Sequence, residues 1–226
     1  MALILHIESA TKNCSVALAK DGEIVAFNEK ATPHYSHAEQ LHPFIEALFR
    51  NASEKVESLD AVAVSKGPGS YTGLRIGVAT AKGLCYALSI PLMGINTLQS
   101  MIQPHLNQGQ WLIPMLDARR MEVYTALFDA QGNAVKPTWA EVLEPDSFDT
   151  HLGDQKALVF GEGAHKFKAL CSNKNLHFLS DFDYPSALTM TGLAFEAFQE
   201  KKFEDVAYFE PFYLKEFLVT PPKANN

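Results

Sequence analysis

Residues 3–22 and 111–132 are laid out on one plan, and that repetition constrains the fold more than any other feature of the chain. LILHIES (3–9) is an apolar run ending on an acid, Glu8, and the next apolar stretch leads to a turn at Asp21-Gly22. WLIPMLDARR (111–120) is an apolar run ending on Asp117, and EVYTALFDAQGNAV (122–135) carries the next strand into a turn at Gly132. From acid to turn glycine is fourteen residues in the first case and fifteen in the second. Asp-Gly between short apolar runs is a two-residue hairpin signal, so residues 3–7, 15–19 and 23–27 are expected to form an antiparallel meander. Two copies of one such unit point to a duplicated fold.

The rest of the pattern extends the plan. Ser36 and Glu39 match a capping box, and Leu41, Phe44, Ile45, Leu48 and Phe49 follow at helical spacing. A strand at 60–65, the loop KGPGSYTG, a helix over 72–88 and a strand at 91–95 complete a β-β-β-α-β-α-β half. Later come a strand at 157–160, GEGAH opening a helix, a helix near 189–199 and a tail with Pro221-Pro222. Duplicated β-β-β-α-β-α units are the plan of the actin-like (ASKHA, ribonuclease H-like) α/β fold, with the second half reduced. The expected division is an N-terminal subdomain of residues 1–100 and a more irregular C-terminal subdomain of 101–226.

The segment KGPGSYTGLRIGVATAKGL (66–84) is the most distinctive. A glycine loop between a strand and a helix can cradle phosphate through free N–H groups and the helix dipole. Gly67, Gly69 and Gly73 give G-x-G-x-x-x-G, one residue longer than the dinucleotide fingerprint, and Pro68 removes a donor. The plainer alternative is a tight turn capped by Ser70 or Thr72. In the helix, Gly73, Gly77, Ala81 and Cys85 form a stripe of small side chains. Each glycine costs about 1 kcal/mol relative to alanine, so another element must approach closely. That element is either the protein's own sheet or first helix, or a second chain.

Catalytic signals are sparse. His37 on the first helix lacks a partner ligand, since positions 40 and 41 are Gln and Leu and His42 lies about 140° round the helix. Glu8 and Asp117 stand at strand ends where actin-like enzymes hold a nucleotide's magnesium, but no glycine follows either; turn and capping hydrogen bonds are the expected role. Cys14 and Cys85 read as small core residues, and three widely spaced cysteines suggest neither a disulfide framework nor a zinc site, as in a reducing cytoplasm. No apolar run reaches membrane-spanning length, and the N-terminus reads as a first strand rather than a secretory signal. A net charge of −7 argues against unaided binding of a polyanion; Arg119-Arg120 and Lys201-Lys202 are the adjacent basic pairs.

ILHIESATKNCSVALAKDG (4–22), HAEQLHPFIEALF (37–49), DAVAVSKGPGSYTGLRIGVATAKGLCYAL (60–88), IPLMGINTL (90–98) and DARRMEVYTALF (117–128) together resemble the TsaB family, formerly YeaZ. The match is densest over residues 3–128, and PFYLK (211–215) carries it in the last third. The resemblance implies an actin-like, non-catalytic subunit of the machinery that makes threonylcarbamoyladenosine in tRNA. Such members are degenerate relatives of the catalytic subunit TsaD and pair with it, the ATPase TsaE joins, and tRNA is reached only through the complex. Where TsaD completes a metal-binding histidine pair, this chain has Leu41, so neither metal nor other cofactor is expected. The implied docking surface for TsaD, or for a second copy in a homodimer, is the first two helices: His37, Leu41, Ile45, Leu48, Thr72, Gly73, Arg75, Ile76, Gly77, Thr80 and Ala81. Glu8, Ser9, Gly67, Gly69, Ser70 and Asp117 would form any residual nucleotide or phosphate site, although Glu8-Ser9 replaces the Asp-Thr of many members. The competing expectations are a metal-dependent glycoprotease-like peptidase, after the family's older naming, and a weak actin-type ATPase.

Overall fold

A computed structural model describes residues 1–33, 37–181 and 184–215, so Ser36, the expected helix cap, and Pro221-Pro222 lie outside the described residues. The first sheet is built from β1 (Leu3–Glu8), β2 (Asn13–Lys20), β3 (Glu23–Ala31), β4 (Ala61–Gly67) and β5 (Leu92–Asn96), in the order β3-β2-β1-β4-β5. The second holds β6 (Trp111–Asp117), β7 (Glu122–Phe128), β8 (Ala134–Val142), β9 (Ala157–Phe160) and β10 (Leu176–Phe178), in the order β10-β9-β6-β7-β8. Each sheet has an antiparallel three-strand meander followed by two parallel strands. The equivalent turn glycines Gly22 and Gly132 are both left-handed, with φ of 86° and 88°. The duplication expected from the sequence is present.

Helices α1 (His37–Ala52) and α2 (Tyr71–Leu88) cover one face of the first sheet; their counterparts α4 (Asp149–Leu152) and α5 (Ala164–Lys168) are single turns or little more. The remaining helices are exchanged between the units. From α3 (Thr97–Ile102), which follows the first unit, Leu98, Met101 and Ile102 pack with Leu112, Leu116 and Phe160 of the second sheet. From α6 (Thr191–Gln199), which follows the second, Ala194 packs with Ile4, Ala63 and Met93 of the first. β1 is therefore buried on both faces, Leu3, Leu5 and Ile7 toward α1 and α2 and Ile4 toward α6, which explains its nearly unbroken apolar run. The expected boundary at residue 100 falls inside α3, and residues 191–215 return to the first half. There Glu204 N–H donates to Leu92 C=O at 2.9 Å, closing the β5 edge, and Phe209 joins the core. β8, unmarked in the sequence, is a charged, half-exposed strand interrupted by Pro137.

The small-residue stripe of α2 faces inward. A Cβ on Gly73 would lie 2.1 Å from the carbonyl oxygen of Ser9, and one on Gly77 would lie 2.1 Å from Ser9 Oγ. Ala81 and Cys85 continue the buried row beneath the helix, and Cys14 is buried with them. Burial pushes both thiols up to about 11. The helix is pressed onto the β1–β2 turn, which offsets the propensity cost of its glycines. Gly73→Ala is expected to lose roughly 1–3 kcal/mol from overpacking against an immovable carbonyl. Gly83→Ala, whose new methyl would meet nothing within 4 Å, is expected to gain up to about 1 kcal/mol. Urea unfolding of the two variants checks the contrast.

Candidate functional site

The end of β1, the β1–β2 turn and the glycine loop before α2 meet at one place. Ser70 caps α2, its Oγ accepting from Gly73 N–H at 3.3 Å. Two further donors at this end of the helix are used within the chain: Ser70 N–H on Ala10 C=O at 2.6 Å and Leu74 N–H on Ser70 C=O at 2.9 Å. Gly69 lacks a side chain because the Ala10 carbonyl occupies that space, 2.5 Å from where a Cβ would sit. Gly67, at φ 110°, is likewise approached by the Phe212 carbonyl. Of the expected phosphate site, the structure therefore brings Glu8, Ser9, Gly67, Gly69 and Ser70 together, but around oxygens of the chain itself. Asp117 stands at the equivalent point of the other sheet.

Glu8 is fully buried. Its Oε1 accepts from Ala10 N–H at 2.6 Å, while Oε2 and the adjacent Ser9 Oγ have no hydrogen-bond partner among the described residues. Desolvation raises the carboxyl to about 7, only partly countered by hydrogen bonds from Ala10, Ser65 and Ser9. His37 is also buried, and Nε2 donates to Thr11 C=O at 2.6 Å, which fixes the Nε2–H tautomer; burial lowers its pKa. Thr11 lies in the same turn that receives α2, so His37 anchors α1 to it.

This packing divides the residues expected to face a partner. His37, Leu41, Leu48, Gly73, Gly77 and Ala81 are buried against the chain itself and correct that expectation, because helical hydrophobic periodicity marks the face turned to the core. Thr72 and Arg75 are exposed, Ile76 and Thr80 half-buried, and Ile45 sits at the bottom of a groove. That groove, about 830 Å³ in volume, runs between α1 and α2 and is lined by Ile45, Phe49, Val56, Ala79, Thr80 and Leu84, with His42 and Glu46 also on its walls. Gly83, exposed and without close neighbours, opens one side. Its signal in the sequence was a helical glycine outside the small-residue row.

In the second half, Asp117 holds the β6–β7 turn. Its Oδ1 accepts from Arg119 N–H at 2.8 Å and pairs with Lys166 Nζ at 2.6 Å. Lys166 also donates to the carbonyls of Arg120 and Glu122, at 2.8 and 2.5 Å. Arg119 and Arg120 are both left-handed, φ 70° and 50°, where a side chain costs roughly 1–2 kcal/mol. Both are exposed. PFYLK joins the halves: Phe212 N–H donates to Lys66 C=O at 2.6 Å, Tyr213 lies 4.9 Å from Tyr71 between ring centroids, and Lys215 pairs with Glu122.

A family model described as TsaD, tRNA N6-adenosine threonylcarbamoyltransferase, matches residues 30–219. The tRNA threonylcarbamoyladenosine biosynthesis protein TsaB of Escherichia coli K12 is 31% identical over 221 residues, covering 94% of each chain. Its Haemophilus influenzae counterpart is 30% identical over 225 residues, covering 94% of this chain and 93% of its own. The chain belongs to the TsaB family. The crystal structure of an uncharacterized protein with similarity to peptidase YEAZ from Pseudomonas aeruginosa superimposes with a TM-score of 0.81 at 25% identity, over 95% of this chain and all of that one. The TsaB fold seen here is actin-like, two duplicated units with exchanged terminal helices.

Glu8 gives the site a pH signature. Its folded pKa lies near 7 and its unfolded value near 4.5, so the folded state binds the proton more tightly. The stability that Glu8 contributes is then fully present below about pH 4.5, falls as pH rises through that window and is lost above 7, a change on the order of 3 kcal/mol. Relative to Glu8→Gln, the native chain should lose stability between pH 5 and 8 in urea titrations; parallel pH profiles would refute the buried neutral acid.

Proposed function

We propose that the chain is a non-catalytic docking subunit required for threonylcarbamoylation of the adenosine beside the tRNA anticodon. It binds the catalytic subunit TsaD through the outer face of α1 and α2, and the ATPase TsaE joins that assembly. The observation that carries this reading is the open apolar groove between the two helices. Exposed apolar surface rimmed by polar side chains is where a soluble domain meets another protein. The match of residues 30–219 to a TsaD family model supports a partner related to this chain, whose own first two helices would supply the matching surface. When TsaD is absent, a second copy takes its place in a homodimer.

Each of the residues considered for metal or nucleotide chemistry at a strand or helix end has a structural partner or is enclosed in the core. His37 is bonded to Thr11, Glu8 to Ala10 and Asp117 to Lys166, and Leu41 is fully buried in the first core. Among the described residues, no three His, Cys, Asp or Glu side chains gather at one point. The TsaB relatives carry a biosynthetic name, and in the proposed complex this subunit contributes contact while TsaD performs the transfer.

Gly83 is the position that separates docking from folding. Gly83→Glu adds a charged side chain to the groove where nothing obstructs it and replaces a helical glycine, so the free subunit should stay folded. Co-purification with TsaD should fall at least tenfold, and tRNA modification in a reconstituted assay should fall with it. A folded Gly83→Glu protein that still captures TsaD fully and supports modification overturns the proposal.

A further inference from the structure

The β6–β7 turn is built from residues that suit it poorly. Consecutive left-handed positions in a tight hairpin favour Asn-Gly, yet Arg119 and Arg120 stand there at φ 70° and 50°. The turn is nevertheless rigidly held: Asp117 receives Arg119 N–H, and the Lys166 ammonium bridges Asp117 and the carbonyls of Arg120 and Glu122. The two carboxylates of the hairpin are already taken, Asp117 by Lys166 and Glu122 by Lys215. No ion pair or hydrogen bond engages either guanidinium among the described residues, and both residues are exposed. The chain's other adjacent basic pair differs, since Lys202 is tied to Glu200 at 2.5 Å. Two guanidinium groups without an ion pair thus share one strained, exposed turn in a chain of net charge −7.

Further cations extend this feature toward the docking helix. Lys215 sits 6.0 Å from the Tyr124 ring, on which Arg119 also acts electrostatically. Two residues earlier, Tyr213 accepts from Arg75 Nε at 3.3 Å, and Arg75 lies 4.3 Å above the Tyr71 ring at the start of α2. Arg75 at the start of α2 thus meets the segment that joins the halves, and Lys215 on that segment lies beside the second sheet, paired with Glu122.

The geometry points to the Arg119–Arg120 turn as a contact for the phosphodiester backbone of the tRNA held by the assembled complex. This rests on the docking function proposed above. A guanidinium presents a planar fork of donors that fits phosphate, and a pre-ordered turn loses little entropy on binding. The acidic balance of the whole chain keeps such a contact too weak to hold RNA unaided and effective only beside a partner that already holds the tRNA.

The test replaces the pair with the residues the turn prefers, Arg119→Asn with Arg120→Gly, in the full chain assembled with TsaD. The variant should melt no lower than the native chain, since the backbone strain is relieved while Asp117 and Lys166 are untouched. It should capture TsaD as the native chain does. Affinity of the complex for tRNA should fall about tenfold near physiological salt, and the slope of log affinity against log salt should shrink by about 2, one for each lost phosphate contact. Unchanged affinity and slope overturn the inference. Loss of TsaD capture in this variant also overturns it, because the pair would then be meeting an acidic protein surface. The two proposals fail separately: docking is read by pull-down with Gly83→Glu, and RNA contact by the salt slope of complexes that have formed.

Discussion

The seating of α2 on the turn between β1 and β2 governs the first half of the molecule. Three glycines, Gly69, Gly73 and Gly77, remove the side chains that would hold the helix away from Ser9 and Ala10. Once the helix is seated, Ser70 N–H reaches the Ala10 carbonyl and His37 reaches Thr11, so loop, turn and both helices form one packed unit. Here Ser70 N–H is taken by the Ala10 carbonyl and Gly73 N–H by the Ser70 hydroxyl, and burial of the Glu8 carboxyl at the strand end favours its neutral form.

An inward face so completely used leaves the opposite side of the same two helices for other purposes. Residues that pack well are spent on the core, whereas Ala79, Thr80 and Gly83 line an open groove with Ile45 and Phe49 at its base. The glycines of α2 thus have two different reasons. Gly73 admits the Ser9 carbonyl and Gly77 the Ser9 hydroxyl, whereas Gly83 leaves room that none of the described residues fills.

The second unit repeats the first with changed emphasis. Glu8 and Asp117 each accept the N–H two residues on, so the acid at the end of the first strand has the same local task in both halves. Burial separates them: Glu8 is enclosed, and Asp117 is exposed and paired with Lys166. The short α4 and α5 cover one face of the second sheet with Leu143 and Phe148, and α3, borrowed from the preceding unit, covers the other. The exchange of α3 and α6 binds the two units together, and the expected division at residue 100 falls within one of the exchanged helices.

By itself the sequence determined the duplicated meanders, the strand and helix order of the first half, the fold class and the family, because these follow from hydrophobic period, turn glycines and a long specific motif, all local to the chain. It also showed that the stripe on α2 must be closely approached, since glycines inside a helix carry a known cost. Which element approaches was decided by tertiary structure alone. Periodicity tells that Gly77 shares a face with Gly73 but not whether that face meets Ser9 or another protein, and the same blindness placed Leu41 and Ala81 on an expected outer surface. β8, the exchange of α3 and α6 and the left-handed arginines were equally illegible. Each depends on a contact between residues distant in sequence, such as Lys166 with Asp117 or Phe212 with Lys66, and no local pattern encodes such a meeting.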